Sequence, residues 1–335
     1  MQITYGADKT GLLCGYRFED GQPGVPVTLA EAAAWLQGGA PKAPADFVWL
    51  HFNLSDAAAE THIRKHLDVV PEFFDALHEG SRSTRIEDAH DTLIAVVNDV
   101  AYEFAFDPAD IASLWLNVGP HLALSARSHP LRSIDRMRDA VKQGEALASS
   151  VSFLNRLLRE QGDVLVRIVR ETTVQVDRIE DKFLVGQLHN RRGELGKLRR
   201  VLVRLQRLLA PEPGALFRLL RLPPAWISEH DLEELRQATE EFSLTIRDMS
   251  ELKERIKLLQ EEIAAQVSEQ TNQSVFTLTM VTVLALPINI VAGLLGMNVG
   301  GIPMAQSPDG FMVIVGIILV FTAFAAWYVY RQNRK

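Results

Sequence analysis

The residues with the most chemistry to offer lie along one edge of a single expected helix. Stepping back from Gly296 by threes and fours gives Gly293, Asn289, Leu286, Thr282, Thr279, Val275, Asn272, Ser268, Ala265 and Glu261. Nearly all are small or carry a hydroxyl or amide, in a segment otherwise rich in Leu, Val and Ile. Neutral oxygen donors hold hydrated cations through their water shells and let them go again. They do not capture a bare transition metal tightly, which takes His, Cys or carboxylate ligands. Small and hydroxylated residues also mark ordinary helix–helix contacts in membranes. Packing and a water-lined path therefore both fit the stripe. Asn272 and Asn289 weigh toward water, because an amide in hydrocarbon is costly without a partner.

The elements that carry this edge follow from composition. Residues 275–295 and 311–330 contain no Asp, Glu, Lys, Arg or His. Each stretch is about 20 residues, enough to cross a hydrocarbon core of roughly 30 Å. No Pro or Gly occurs from 228 to 286. One helix of about 65 to 70 residues, roughly 100 Å long, is therefore expected to run from an N-cap at Ser228 into the first span. Asp231 and Glu233 in its first turn suit the helix dipole. Pro287 removes one backbone hydrogen bond near the far end and frees the carbonyl of Val283. A helix this long needs lateral partners. Two spans per chain cannot enclose water, so a conducting path requires several copies.

Charge sets the expected orientation. The chain holds 35 Lys and Arg against 42 Asp and Glu, and beyond residue 270 only Arg331, Arg334, Lys335 and Asp309 are charged. The first 270 residues are therefore acidic, which argues against a nucleic-acid partner. The basic tail at 331–335 directly follows the second stretch, and no Lys or Arg lies between the stretches. Positive-inside then places both termini in the cytosol and Gly296-Met297-Asn298 outside. Residues 1–18 lack the basic start and apolar core of a signal peptide. The lone Cys14 permits no internal disulfide.

The front of the chain reads as one α/β domain with a mainly internal sheet. Strands are expected over 47–52, 92–97 and 113–118, and over 121–126 after the Gly119-Pro120 turn. Short helices follow Ser55, taken as an N-cap, and Pro71. From residue 128 the spacing turns helical, over 131–148, 151–188 and 191–221, with Pro211 and Pro213 interrupting the third and Pro223-Pro224 ending it. The expected architecture is an α+β membrane protein. A cytosolic α/β domain covers 1–127 and cytosolic helices cover 128–227. A stalk helix over 228–274 continues into a first transmembrane helix over 275–297. An outer loop over 298–310, a second transmembrane helix over 311–330 and a basic cytosolic tail over 331–335 complete the chain.

Weaker signals each have a plain reading. His62 and His66 have metal-ligand spacing at i, i+4, but sit on a charged surface helix with Arg64 and Lys65 between them. His51 lies in a strand and reads as a hydrogen-bonded structural residue. Arg191, Arg192, Lys197, Arg199, Arg200, Arg204 and Arg207 read as a solvated face paired with acids of a neighbouring helix. Glu251, Glu254, Glu261 and Glu262 read as an exposed flank, or as a carboxylate ring when several copies assemble. No phosphate-binding loop, nucleophile elbow, zinc-protease motif or paired Cys motif is present, so nothing points to an enzyme.

The segment at 286–298, Leu-Pro-Ile-Asn-Ile-Val-Ala-Gly-Leu-Leu-Gly-Met-Asn, resembles the CorA family of divalent-cation transporters. The tripeptide at the outer end of the penultimate span, the short outer loop, the second span and the basic tail share that layout. Val299-Gly300-Gly301-Ile302-Pro303, Trp49-Leu50-His51-Phe52-Asn53 and the segment 81–85 are similar to the zinc-linked ZntB branch. Magnesium-type members usually place a glutamate shortly after the tripeptide, where this chain has only Asp309. The resemblance implies a homopentamer in a bacterial inner membrane, with the first transmembrane helix lining the pore. It implies that Asn298 holds the hydrated ion, with Gly296 permitting a close turn and Met297 packing it. Asn289, Thr282 and Thr279 would line the path below. Zinc is the expected cargo, with magnesium, cobalt or nickel as the alternative, and no tightly bound cofactor is implied. The partners implied are other copies of the chain, the lipid bilayer and the transported cation. A membrane-tethered sensor or adaptor that carries nothing is the second alternative.

Overall fold

A computed structural model describes residues 7–19, 21–38, 42–43, 45–79, 85–101, 111–186, 191–297 and 307–332. The chain divides into two units, Met1–Gln260 and Glu261–Lys335.

The first unit is built on a seven-stranded sheet. Its strands are β1 (Leu12–Phe18), β2 (Val25–Pro26), β3 (Phe47–Asn53), β4 (Arg85–Ala89), β5 (Thr92–Val100), β6 (Ile111–Val118) and β7 (Leu122–Arg127). The spatial order is β2-β1-β3-β7-β6-β5-β4. Among the described strands only β3 and β7 pair in parallel. The turn expected at Gly119-Pro120 joins β6 and β7 as an antiparallel pair. Strand alternation explains how both faces are covered. Phe47 and Trp49 point into one core with α4 (Arg132–Lys142), α5 (Ser150–Leu184) and α7 (Pro211–Arg221). Val48, Leu50 and Phe52 point into the other, with α1 (Leu29–Gln37), α2 (Ala57–His66) and α3 (Pro71–Glu79).

Several local expectations shift. The N-cap of α2 is Asp56, whose carboxylate accepts from the Ala58 N–H at 2.9 Å, and not Ser55. The Ser55 hydroxyl instead donates to the Ser128 carbonyl at 2.7 Å. Helix α4 stops at Lys142, well short of 148, because Gly144 takes a φ of +97°. Such a left-handed residue ends a helix readily when it is glycine. The run over 191–221 is interrupted at Pro211 as expected, giving two helices, α6 (Arg191–Leu209) and α7. Helix α8 (Glu229–Leu295) runs unbroken for 67 residues, about 100 Å. Ser228 caps it as expected, accepting from the Asp231 N–H at 3.1 Å.

A buried polar layer joins β3, β5 and β7 to α4. The His51 imidazole is fully buried, and its Nε2 accepts from Arg127 Nε at 3.0 Å. In the neutral ring Nδ1 is then the donor. It lies 2.8 Å from Ser125 Oγ, which also accepts from the Trp49 indole N–H at 2.9 Å. Burial, with Arg127 and Arg138 nearby, holds His51 well below its ordinary pKa. Asp135 takes both arginines, at 3.2 Å from Arg127 and 3.5 Å from Arg138.

Asp99 completes the layer from β5. Leu131 precedes α4 and has no side-chain cap to offer. Asp99 supplies one from across the fold, accepting from the Ser133 N–H at 2.8 Å and the Ser133 hydroxyl at 2.9 Å. Burial still pushes its carboxyl up to about 6 from 3.8, despite these bonds. The folded protein therefore binds a proton here that the unfolded chain releases, between about pH 4 and 6. Stability from this group is highest in acid and falls as pH rises through that window. Two pKa units correspond to about 3 kcal/mol. Asp99→Asn has no such titration, so its stability should gain on the wild type by up to about 3 kcal/mol between pH 4 and 7. Denaturant melts of both proteins at the two pH values check this. A gap that does not change with pH would remove Asp99 as the titrating group.

Candidate functional site

The second unit contains the far part of α8 and helix α9 (Gly310–Gln332). Among the described helices α8 is long and apolar enough to cross a membrane, and its most apolar 18-residue window is unburied within the single chain. The described apolar part of α9, Gly310–Ala325, is shorter.

One side of each helix is partly covered. On α8 the half-buried residues include Met280, Leu284, Ile288, Val291 and Leu295, and on α9 they include Ile314, Val315, Ile318, Thr322 and Ala325. Both sets follow helical spacing and define one line per helix. Asn272, Val275, Thr279, Thr282, Leu286, Asn289 and Gly293 are all exposed. At about 100° per residue, their line lies roughly 180° around α8 from the half-covered one. The polar edge is thus the side of α8 that the single chain leaves open. Pro287 is half-buried and lies off this edge, toward the covered side.

The threonines on the edge have a defined polarity. The Thr279 hydroxyl donates to the Val275 carbonyl at 2.8 Å, and the Thr282 hydroxyl donates to the Leu278 carbonyl at 2.9 Å. A hydroxyl has one proton and two lone pairs. With the proton spent on the helix, each oxygen faces outward as an acceptor. An edge of acceptors suits water molecules whose protons point away from a cation.

The outer end is partly described. The Gly296 N–H donates to the Ala292 carbonyl at 2.9 Å and closes the last turn of α8. A Cβ at Gly296 would sit 3.1 Å from that same oxygen, so the closeness of the turn favours glycine. Met297 is 52% exposed in the single chain. Asn298, and with it Val299 to Pro303, lies outside the described residues. At the other end, Glu261 and Glu262 are exposed. Glu251 and Glu254 are engaged by cations of their own helix, Arg247 at 3.9 Å and Lys257 at 2.9 Å.

The side signals resolve differently. His62 and His66 stack on each other with centroids 5.8 Å apart. No group of three or more His, Cys, Asp or Glu that could hold a metal occurs among the described residues. His51 is structural, as its spacing in a strand implied. Among the described residues no acid of a neighbouring helix forms an ion pair with Arg199, Arg200, Arg204 or Arg207, although that pairing was expected; Arg199 meets Glu254 only through a longer-range charge interaction. The four arginines line a hollow beside α8. The buried ring partners of His51, Ser125 and Arg127, and the Asp135 that Arg127 pairs with in turn, carried no signal in the sequence, because they come from elements distant from His51 in the chain.

Comparisons with known proteins agree with this architecture. A family profile described as "CorA-like Mg2+ transporter protein" matches residues 44–331. The chain is 26% identical over 339 residues to "Divalent cation transporter CmaX" of Pseudomonas aeruginosa, covering 100% of this chain and 99% of that protein. It is 22% identical over 285 residues to "Zinc transport protein ZntB" of Pectobacterium carotovorum, covering 85% of this chain and 87% of the relative. Among solved structures, full-length CmaX superposes with a TM-score of 0.79 at 24% identity, over 98% of this chain and 99% of the other. The CorA magnesium transporter of Methanocaldococcus jannaschii gives 0.74 at 18% identity, over 95% and 97%. Identities this low speak for the fold alone.

Proposed function

The chain belongs to the CorA family, and from that premise we propose that it carries divalent metal cations, zinc foremost, across a bacterial inner membrane through a homopentameric pore. Residues 275–297 and 311–330 form the transmembrane hairpin, and both termini are cytosolic. Five copies of the α8 edge surround the path. Asn298 holds the ion at the outer mouth with its hydration shell in place, and Asn289, Leu286, Thr282, Thr279, Val275 and Asn272 line the way inward. Glu261 stands at the inner mouth. Retaining the water shell avoids the cost of stripping a strongly hydrated ion. Neutral oxygens bind weakly enough to release it.

One observation carries this reading. The acceptor-bearing edge of α8 is open, about half a turn from the half-covered side. That side is used within the chain, so the polar edge remains for copies of itself around an axis. In a helix built only to pack against lipid, the open side would be the most apolar one.

Zinc over magnesium is supported by the likeness of 299–303 to the zinc-linked branch, by the missing loop glutamate and by the relatives named for zinc transport. Purified protein in liposomes loaded with metal-sensitive dyes provides the test. Zinc influx should exceed magnesium influx at equal concentration, and excess magnesium should leave zinc influx largely intact. Magnesium carried without zinc would overturn the choice of cargo. Flux of neither ion would favour the membrane-tethered sensor.

A further inference from the structure

The arginines of α6 form a site that ion conduction does not use. We propose that Arg199, Arg200, Arg204 and Arg207 bind a soluble polyphosphate anion in the first unit. The four residues span about 12 Å along one side of the helix. They line a hollow of about 610 Å³. Val203 lies between them, and Gln260 of α8 closes the far wall.

Three observations point to an anionic occupant. First, none of the four arginines forms an ion pair or hydrogen bond with a described residue. Glu254 of α8 is held by Lys257 at 2.9 Å and meets Arg199 only through a longer-range charge interaction. Four like charges on neighbouring turns repel one another unless something neutralises them. Second, the Nε atoms of Arg199 and Arg204 are shielded from solvent and have no hydrogen-bond partner. A desolvated cationic donor without an acceptor is costly, and an oxyanion in the hollow would supply the acceptors. Third, Gly196 lines the hollow in mid-helix, where glycine is a poor helix former. Nothing steric demands it, since a Cβ there would meet Gln260 Nε2 at 3.7 Å and an Arg200 nitrogen at 3.8 Å. Its effect is to leave the space empty.

Size and geometry select the ligand class. Guanidinium groups match phosphate oxygens in bidentate pairs. A single tetrahedral oxyanion reaches two of these groups, whereas a linked row of phosphates reaches all four. A nucleoside triphosphate or an inorganic polyphosphate has that shape. A phosphorylated lipid headgroup shares the chemistry but is tied to a membrane surface.

The test uses the full-length protein in detergent with inorganic triphosphate as the probe, titrated by calorimetry at fixed ionic strength. Saturable binding is expected. Its Kd should weaken at least tenfold in the double variant Arg199→Gln/Arg204→Gln. Gly196→Leu improves helix propensity while filling the hollow, so it should weaken binding to a similar extent without lowering the melting temperature. Unchanged binding in Gly196→Leu would overturn the site even if the arginine variant failed to fold. Capture by vesicles of anionic phospholipid without triphosphate binding would overturn the soluble ligand in favour of a headgroup. Binding of neither would show that the arginines are neutralised within the assembly, which also overturns the proposal.

Discussion

Asn298→Ala should abolish cation flux in proteoliposomes while leaving the protein folded and assembled. The substitution removes one amide oxygen per chain at the proposed outer mouth. Each such oxygen contributes about 1 kcal/mol as a hydrogen bond to the ion's hydration shell. Symmetry repeats the loss in every copy, so a pentamer loses several kcal/mol at one site. A tenfold effect corresponds to about 1.4 kcal/mol, and flux should fall by more than about 100-fold. The substitution leaves the last described turn of α8 untouched, since that turn is closed by the Gly296 N–H on the Ala292 carbonyl. Thr279→Val with Thr282→Val should give a smaller loss, since it dries part of the path without touching its mouth. Dye-reported zinc influx measures all three proteins. Wild-type flux from Asn298→Ala would remove that residue from the site.

Asp135→Ala should destabilise the first unit more than any change on its surface. The carboxylate is 1% exposed and faces two guanidinium groups that are also buried. Burial pushes the Asp135 carboxyl up, and the arginines pull it back only in part. Such a cluster is not a strong source of net stability when intact. Removing Asp135 takes away the carboxylate that both buried guanidinium groups face, which costs about 3 to 5 kcal/mol. For a unit of this size the melting temperature should drop by about 10 °C. Arg64→Ala breaks an exposed i, i+4 pair with Glu60 and should cost less than about 1 kcal/mol. Thermal melts of both variants decide the ranking. Equal melting temperatures would mean that water or another acid compensates for Asp135.

The long helix was legible residue by residue. With no Pro or Gly from 228 to 286 and a capping serine at 228, local rules alone require a helix there, and α8 fills it. The edge running from Glu261 to Gly296 was legible for the same reason, since residues three and four apart share a side of any helix. The α6 hollow was half legible. The basic residues were visible, but among the described residues no acid of a neighbouring helix forms an ion pair with Arg199, Arg200, Arg204 or Arg207. Whether an arginine meets a carboxylate depends on which helix packs beside it, and that is a property of the assembled unit.

The amino-acid sequence by itself determined the period and polarity of each element. It set two apolar stretches of spanning length, one uninterrupted helix, a single polar edge and a basic end. These depend on local backbone rules and on side-chain order along one strand or helix. Tertiary structure alone decided which side of α8 is used within the chain, and so which side stays open. It also brought His51, Asp99, Arg127 and Asp135 from β3, β5, β7 and α4 into one buried layer. The physical reason is range. Propensity and capping act over a few residues, whereas contact across 76 positions of chain, as between His51 and Arg127, exists only after the sheet has formed.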